Sequence, residues 1–184
     1  MNGAAAVTDA AALIARLSTR IDQLEAHAAI RGIMAEYMRL CDRLDASTPM
    51  HELGELFTPD AVWTGTGARY GAAFGSRDGR AAILAMLDTY RSPPHFAFNA
   101  HFLTSETIDV AQLTARGRWM MLQTTTYSSG ASDLRCARLT VDFARDATRW
   151  RISRFETENL SSRAVDRWND ATPVPVPSDR GEQR

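Results

Sequence analysis

The sequence predicts an α+β domain in which helices come first and a curved, mainly antiparallel sheet follows. Apolar residues at helical spacing dominate as far as Tyr90, and strand-like alternation takes over after Pro93 and Pro94. Two turn-forming runs, Ser128-Ser129-Gly130 and Arg145-Asp146-Ala147, cut the second half into long strands. Helices segregated from strands in this way pack as a layer on one face of a sheet. A chain of 184 residues with 45% hydrophobic content suits one domain able to close a core around a small cavity.

The elements follow in order. Leu13, Leu17, Ile21 and Leu24 recur at helical spacing, and Ile30, Ile33, Met34, Tyr37, Met38 and Cys41 continue the stripe, giving two helices or one bent one. Thr8 or Asp9 can cap the start, and Gly32 is a weak point worth up to about 1 kcal/mol relative to Ala. The segment through residue 26 has a narrow apolar stripe suited to another subunit, so a homo-oligomer, dimer or trimer, is expected. Residues 27–162 form the expected domain. Within it a short helix, Met50 to Phe57, is stopped by Pro59, and Ala61 to Gly65 reads as a strand. Asp78-Gly79-Arg80 opens a further helix, Ala81 to Tyr90. Strands are expected at His95 to Val110, Thr114 to Tyr127, Leu134 to Phe143 and Trp150 to Asn159. Residues 163–184 turn polar, with Pro173, Pro175 and Pro177 alternating with small residues, and are expected to be extended or disordered.

Composition excludes several function classes. All 21 Lys+Arg residues are arginine, so chemistry through a lysine Schiff base is ruled out. A net charge of -1 without a dense arginine stripe gives no support for nucleic acid as a partner. Cys41 and Cys136 lie far apart with no CxxC spacing, and no run approaches the roughly 18 apolar residues of a membrane span. No basic residue precedes the interrupted apolar stretch near the start, so a cytoplasmic protein with free thiols is expected. The glycines from Gly65 to Gly79 match no phosphate loop, no GxSxG elbow is present, and no His, Cys or carboxylate spacing suits a metal. His95 and His101 share a strand face but lie ~20 Å apart on a straight strand, too far to share an ion. No cofactor is expected.

Three side chains remain as candidates for chemistry. Tyr37 and Asp42 end the first helical stripe, and His101 sits on the first long strand. Carboxylate and imidazole are a common proton-transfer pair, because the carboxylate can hold one ring nitrogen and leave the other as base. Tyr37 and Asp42 are about 140° apart around a helix, so they share a cavity only if Asp42 comes from the last turn. A core Tyr37 and a surface Asp42 paired with Arg39 or Arg43 fit the same pattern. On the strand, Asn99 and His101 alternate with Phe98 and Phe102, which suggests a cavity wall backed by a packed aromatic face. Trp63 is expected beside Tyr37, and Trp119 and Trp150 in the core.

The runs IRGIMAEYMRLCDRLD, ELGELFTPDAVW, GSRDGRAAILAML, HFAFNAHFLTSETIDV, ARGRWMM and RWRISRFETENL together resemble the SnoaL-like branch of the nuclear transport factor 2-like superfamily. The resemblance covers roughly residues 27 to 162 and implies a cone, with helices closing one side of a strongly curved sheet around a deep apolar pocket. It also implies the chemistry of the branch's cofactor-free dehydratases and dehydrochlorinases. Their aspartate falls on Asp42, their histidine on His101 and the dehydratases' tyrosine on Tyr37, while an arginine found in one dehydratase type falls on Asn159. The resemblance makes Asp42, His101 and Tyr37 the expected catalytic residues; Trp63, Asn99, Trp119 and Asn159 are the expected substrate-binding ones. The expected function is elimination from an apolar aromatic or polycyclic small molecule. Isomerisation, cyclisation and aldol-type cleavage start from the same proton removal, and a ligand-binding or dioxygenase β-subunit-like scaffold would use the cone without turnover.

Overall fold

The computed structural model describes residues 2–147 and 149–166, with the side chains of 2–8 left aside. The expected extended tail therefore lies almost wholly outside the described residues. Of the two expected alternatives, two helices or one bent one, the chain forms one helix, α1 (Asn2–Asp42). Its second half explains its position: Ile30, Met34, Tyr37, Met38 and Cys41 recur on one face and are all buried. Each large apolar side chain so buried contributes about 1.5–3 kcal/mol. Residues 9–25 are exposed throughout, so this part of α1 projects from the domain and the first buried residue is Ala26.

After α2 (Met50–Glu55) comes β1 (Phe57–Thr66), which starts four residues earlier than expected. Pro59 lies inside this strand rather than ending a helix before it. The pairing of β1 with its neighbour is irregular between Phe57 and Val62, and the missing N–H of proline is tolerated in such a stretch. The helix α3 (Gly67–Phe74) and the short β2 (Ser76–Asp78) were not expected from the glycine-rich sequence. Gly67 and Gly75, at the two ends of α3, have φ of +69° and +59°, which side-chain-bearing residues rarely adopt. Next come α4 (Arg80–Asp88), β3 (Phe96–Val110), β4 (Thr114–Tyr127), β5 (Ser132–Arg145) and β6 (Trp150–Ala164).

The six strands form one sheet in the order β2-β1-β6-β5-β4-β3. All neighbours are antiparallel except β1 and β6, which run parallel. Irregularities in β3 between Thr104 and Thr107, with Ser105 at a φ of 52°, and in the β5–β6 ladder are the kind of bulge that bends a sheet. The helices cover the concave side only. In consequence the aromatic face of β3 is not packed, contrary to expectation: Phe98 is 48% and Phe102 55% exposed. Among the described residues no helix is long and apolar enough to cross a membrane.

Candidate active site

Between the helices and the inner face of the sheet lies a cavity of about 370 Å3. Tyr37 and Met38 of α1 and Tyr70 and Phe74 of α3 form much of its helical side, and Trp63 of β1 and Phe155 of β6 add to the apolar wall. His101 lines it from β3. The last turn of α1 lies across this strand, and Asp42 Oδ1 sits 2.6 Å from His101 Nδ1 and 3.0 Å from the His101 backbone nitrogen. A carboxylate beside both groups fixes the tautomer: Nδ1 carries the hydrogen and donates, and Nε2 keeps a lone pair. Among the described residues no protein group hydrogen-bonds Nε2. Asp42 is not a lining residue and meets the ring from the side away from the cavity.

Asn99, two residues earlier on the same face, is buried in the cavity wall. Its Oδ1 accepts from Gln123 Nε2 at 2.8 Å and Thr125 Oγ1 at 2.9 Å, and its Nδ2 donates to the Cys41 carbonyl at 3.4 Å. It therefore ties the end of α1 to β3 and β4, next to the point where Asp42 meets His101.

Tyr37 is buried, with its ring 5.0 Å from that of Phe155. Trp63 Nε1 donates to its hydroxyl oxygen at 3.2 Å. Since an indole can only donate, the Tyr37 hydrogen points elsewhere, to the Cys41 sulfur or to a ligand. Burial, with the neighbouring Cys41 adding to it, holds the Tyr37 hydroxyl well above the usual phenol range. It stays neutral and able to donate. Burial also pushes the Cys41 thiol up to about 12, so this cavity-lining cysteine is not a thiolate nucleophile at neutral pH.

Two expected binding residues lie elsewhere. Trp119 is four residues along β4 from Gln123, about 13 Å away on an extended strand. There its ring lies over Gly117, packs on Phe143 and donates from Nε1 to Glu106 Oε2 at 3.1 Å. It is core, not cavity wall. Asn159 borders an irregular stretch of the β5–β6 ladder, and its amide donates to the Ser161 carbonyl at 3.2 Å and Ser162 Oγ at 2.9 Å. Its polar atoms are used locally, and it does not line the cavity. Missed from the sequence were Tyr70, Gln123, Tyr127 and Arg135, all of which do. Among the described residues no group of three His, Cys, Asp or Glu side chains could hold a metal ion.

A helix laid across a curved sheet with an apolar cavity between them is the nuclear transport factor 2-like architecture. An NTF2-like protein with a cystatin-like fold from Novosphingobium aromaticivorans superposes with a TM-score of 0.64 at 30% identity, over 78% of this chain and 88% of that one. A SnoaL-like domain model matches residues 22–156, and the chain belongs to that family. A hexachlorocyclohexane dehydrochlorinase from Novosphingobium barchaimii shares the fold with a TM-score of 0.68 at 18% identity, over 85% of this chain and 99% of that one. A candidate scytalone dehydratase from N. aromaticivorans gives 0.66 at 18% identity, over 89% and 99%. Among curated proteins none matches.

Proposed function

We propose that this protein is a cofactor-independent lyase that removes water, or a comparable leaving group, from an apolar ring compound. The observation that carries the reading is the 2.6 Å contact between Asp42 Oδ1 and His101 Nδ1, which leaves His101 Nε2 as a free acceptor on the wall of an apolar cavity. In the reaction Nε2 takes a proton from an acidic C–H, and the C–H electrons form the new double bond. The C–O bond breaks, and the departing hydroxide takes the proton back from the imidazolium to leave as water. Asp42 holds the ring and stabilises its positive charge. Tyr37, its oxygen already accepting from Trp63, donates its hydrogen to the substrate carbonyl or the leaving oxygen. Cavity size bounds the substrate: about 150 Å3 is enough for one benzene, so about 370 Å3 suits one or two rings. The shared fold of a dehydrochlorinase supports the same class of reaction.

Incubation with one- and two-ring β-hydroxy ketones, followed by mass spectrometry, tests this: loss of one water from a panel member is expected, and none from any member counts against dehydration. Tyr37→Phe is expected to lower kcat by roughly 10-fold, less than loss of the base, because it deletes one donor and keeps the ring that packs on Phe155. An unchanged kcat would remove Tyr37 from the chemistry.

We propose also that the chain self-associates through α1. Leu13, Ile14, Leu17, Ile21 and Leu24 are all exposed on the projecting part of the helix, which in isolation would be marginal in water. A second copy would cover this stripe. Deleting residues 1 to 26 is expected to lower the mass measured by light scattering, and an equal monomeric mass before and after would refute the assembly.

A further inference from the structure

Arg135 is a charged residue in a largely apolar cavity, and the elimination described above does not use it. The sheet register places it: His101 on β3 pairs with Gln123 on β4, which pairs with Arg135 on β5. All three line the cavity. At about 4.8 Å per strand, Arg135 stands about 10 Å from His101 at the backbone, along a straight row on the inner face.

The guanidinium is held in place from one side only. Nε donates to Asp133 Oδ2 at 3.0 Å, and Nη2 donates to the same oxygen at 2.6 Å and to the Tyr127 hydroxyl. Tyr127 in turn donates to Asp133 Oδ2 at 2.8 Å, and its ring lies under the guanidinium carbon at 5.8 Å. Asp133 thus meets the arginine with one oxygen. Its Oδ1 is buried with no partner among the described residues, so the pair is not a two-oxygen fork. Nη1 makes no hydrogen bond among the described residues and is not buried, on a residue that lines the cavity. Although burial works against it, Asp133 and Tyr127 keep the arginine charged. The result is a cation fixed by three contacts with two N–H groups of one nitrogen left unspent.

We infer that Arg135 Nη1 binds a carboxylate on the substrate, at the far end of the ring skeleton from the C–H that His101 deprotonates. The inference rests on the cavity being the substrate site and narrows the substrate to one- or two-ring carboxylic acids. A guanidinium suits that group because it stays positively charged and the remaining N–H groups on Nη1 can make charge-assisted hydrogen bonds to a carboxylate oxygen. The two residues stand on strands separated by one between them, which sets the anchored end apart from the reacting end.

Binding tests this without turnover, so its outcome is separate from that of the lyase reading. The probes are 1- and 2-naphthoate, with the corresponding naphthalene carbinols as neutral isosteres, titrated by tryptophan fluorescence and calorimetry. At least one naphthoate is expected to bind at least tenfold more tightly than its carbinol, and His101→Gln should keep that preference. Replacing Arg135 alone would strand the Asp133 carboxylate, so the variant is Arg135→Met with Asp133→Asn, its fold checked by near-UV circular dichroism. It should bind the carbinol as before and lose the carboxylate preference. Arg135→Lys, which keeps the charge but not the planar donors, should retain part of it, and it decides the matter if the double variant does not fold. Equal affinity for carboxylate and carbinol in the wild-type protein, no carboxylate binding at all, or a full preference in a folded variant lacking Arg135 would overturn the inference.

Discussion

His101→Ala is expected to lower turnover by about 100-fold or more, the scale on which a positioned base contributes, with the fold unchanged. Asp42→Asn should cost nearly as much, because an amide does not hold the imidazole in the same tautomer or balance its charge. The two effects should not add. Asp42 touches the chemistry only through the 2.6 Å contact to His101 Nδ1, so once the imidazole is absent there is nothing left for it to orient. Steady-state kinetics on the two single variants and the double variant measure this. A double variant slower than the wild type by the product of the two single effects would mean that Asp42 acts on substrate independently.

A large effect on stability is expected at Gly65. A Cβ there would lie 2.4 Å from the Tyr70 carbonyl oxygen and 2.9 Å from its carbon, both backbone atoms that cannot rotate away. Gly65 also donates from its backbone N–H to the Gly75 carbonyl at 2.9 Å, which closes the loop around α3. Gly65→Ala must therefore push α3 off β1, and overpacking of this kind costs about 1–3 kcal/mol. Tyr70 and Phe74 would shift with the helix, and both line the cavity. A fall of several degrees in Tm, with weakened ligand binding, is expected by calorimetry; an unchanged Tm would show that the β1–α3 junction can relax.

Much of this arrangement was legible in the sequence for local reasons. The burial of Ile30, Met34, Tyr37 and Cys41 follows from helical spacing, and the facing of Asn99 and His101 follows from strand alternation. The Asp42–His101 pairing could be expected through the family resemblance, whereas spacing alone favoured Asp42 as a surface carboxylate. What was missed depends on register and layering. Arg135 in Asp133-Leu134-Arg135 looks like any half-exposed strand arginine until pairing through Gln123 sets it in line with His101. The face of Phe98 and Phe102 was read as packed because aromatic residues usually are, but the helices cover only the other side of β3. Trp119 was placed in the site by its residue type, and its distance along β4 removes it. The glycines of the α3 region concealed a helix, since Gly67 and Gly75 mark its ends by their positive φ rather than by helix propensity.

The proposed reaction turns on His101 Nε2 removing a carbon-bound proton from a ligand in the cavity. Its most direct test is proton NMR in D2O with the β-hydroxy ketone panel, comparing the wild-type protein with His101→Ala. For a panel member that binds, the wild-type protein should lose the signal of the acidic C–H, by elimination or by exchange with solvent deuterium. His101→Ala should bind the same compound and leave the signal intact. Loss of that signal at the wild-type rate in the His101→Ala protein would show that another group takes the proton and would contradict the mechanism.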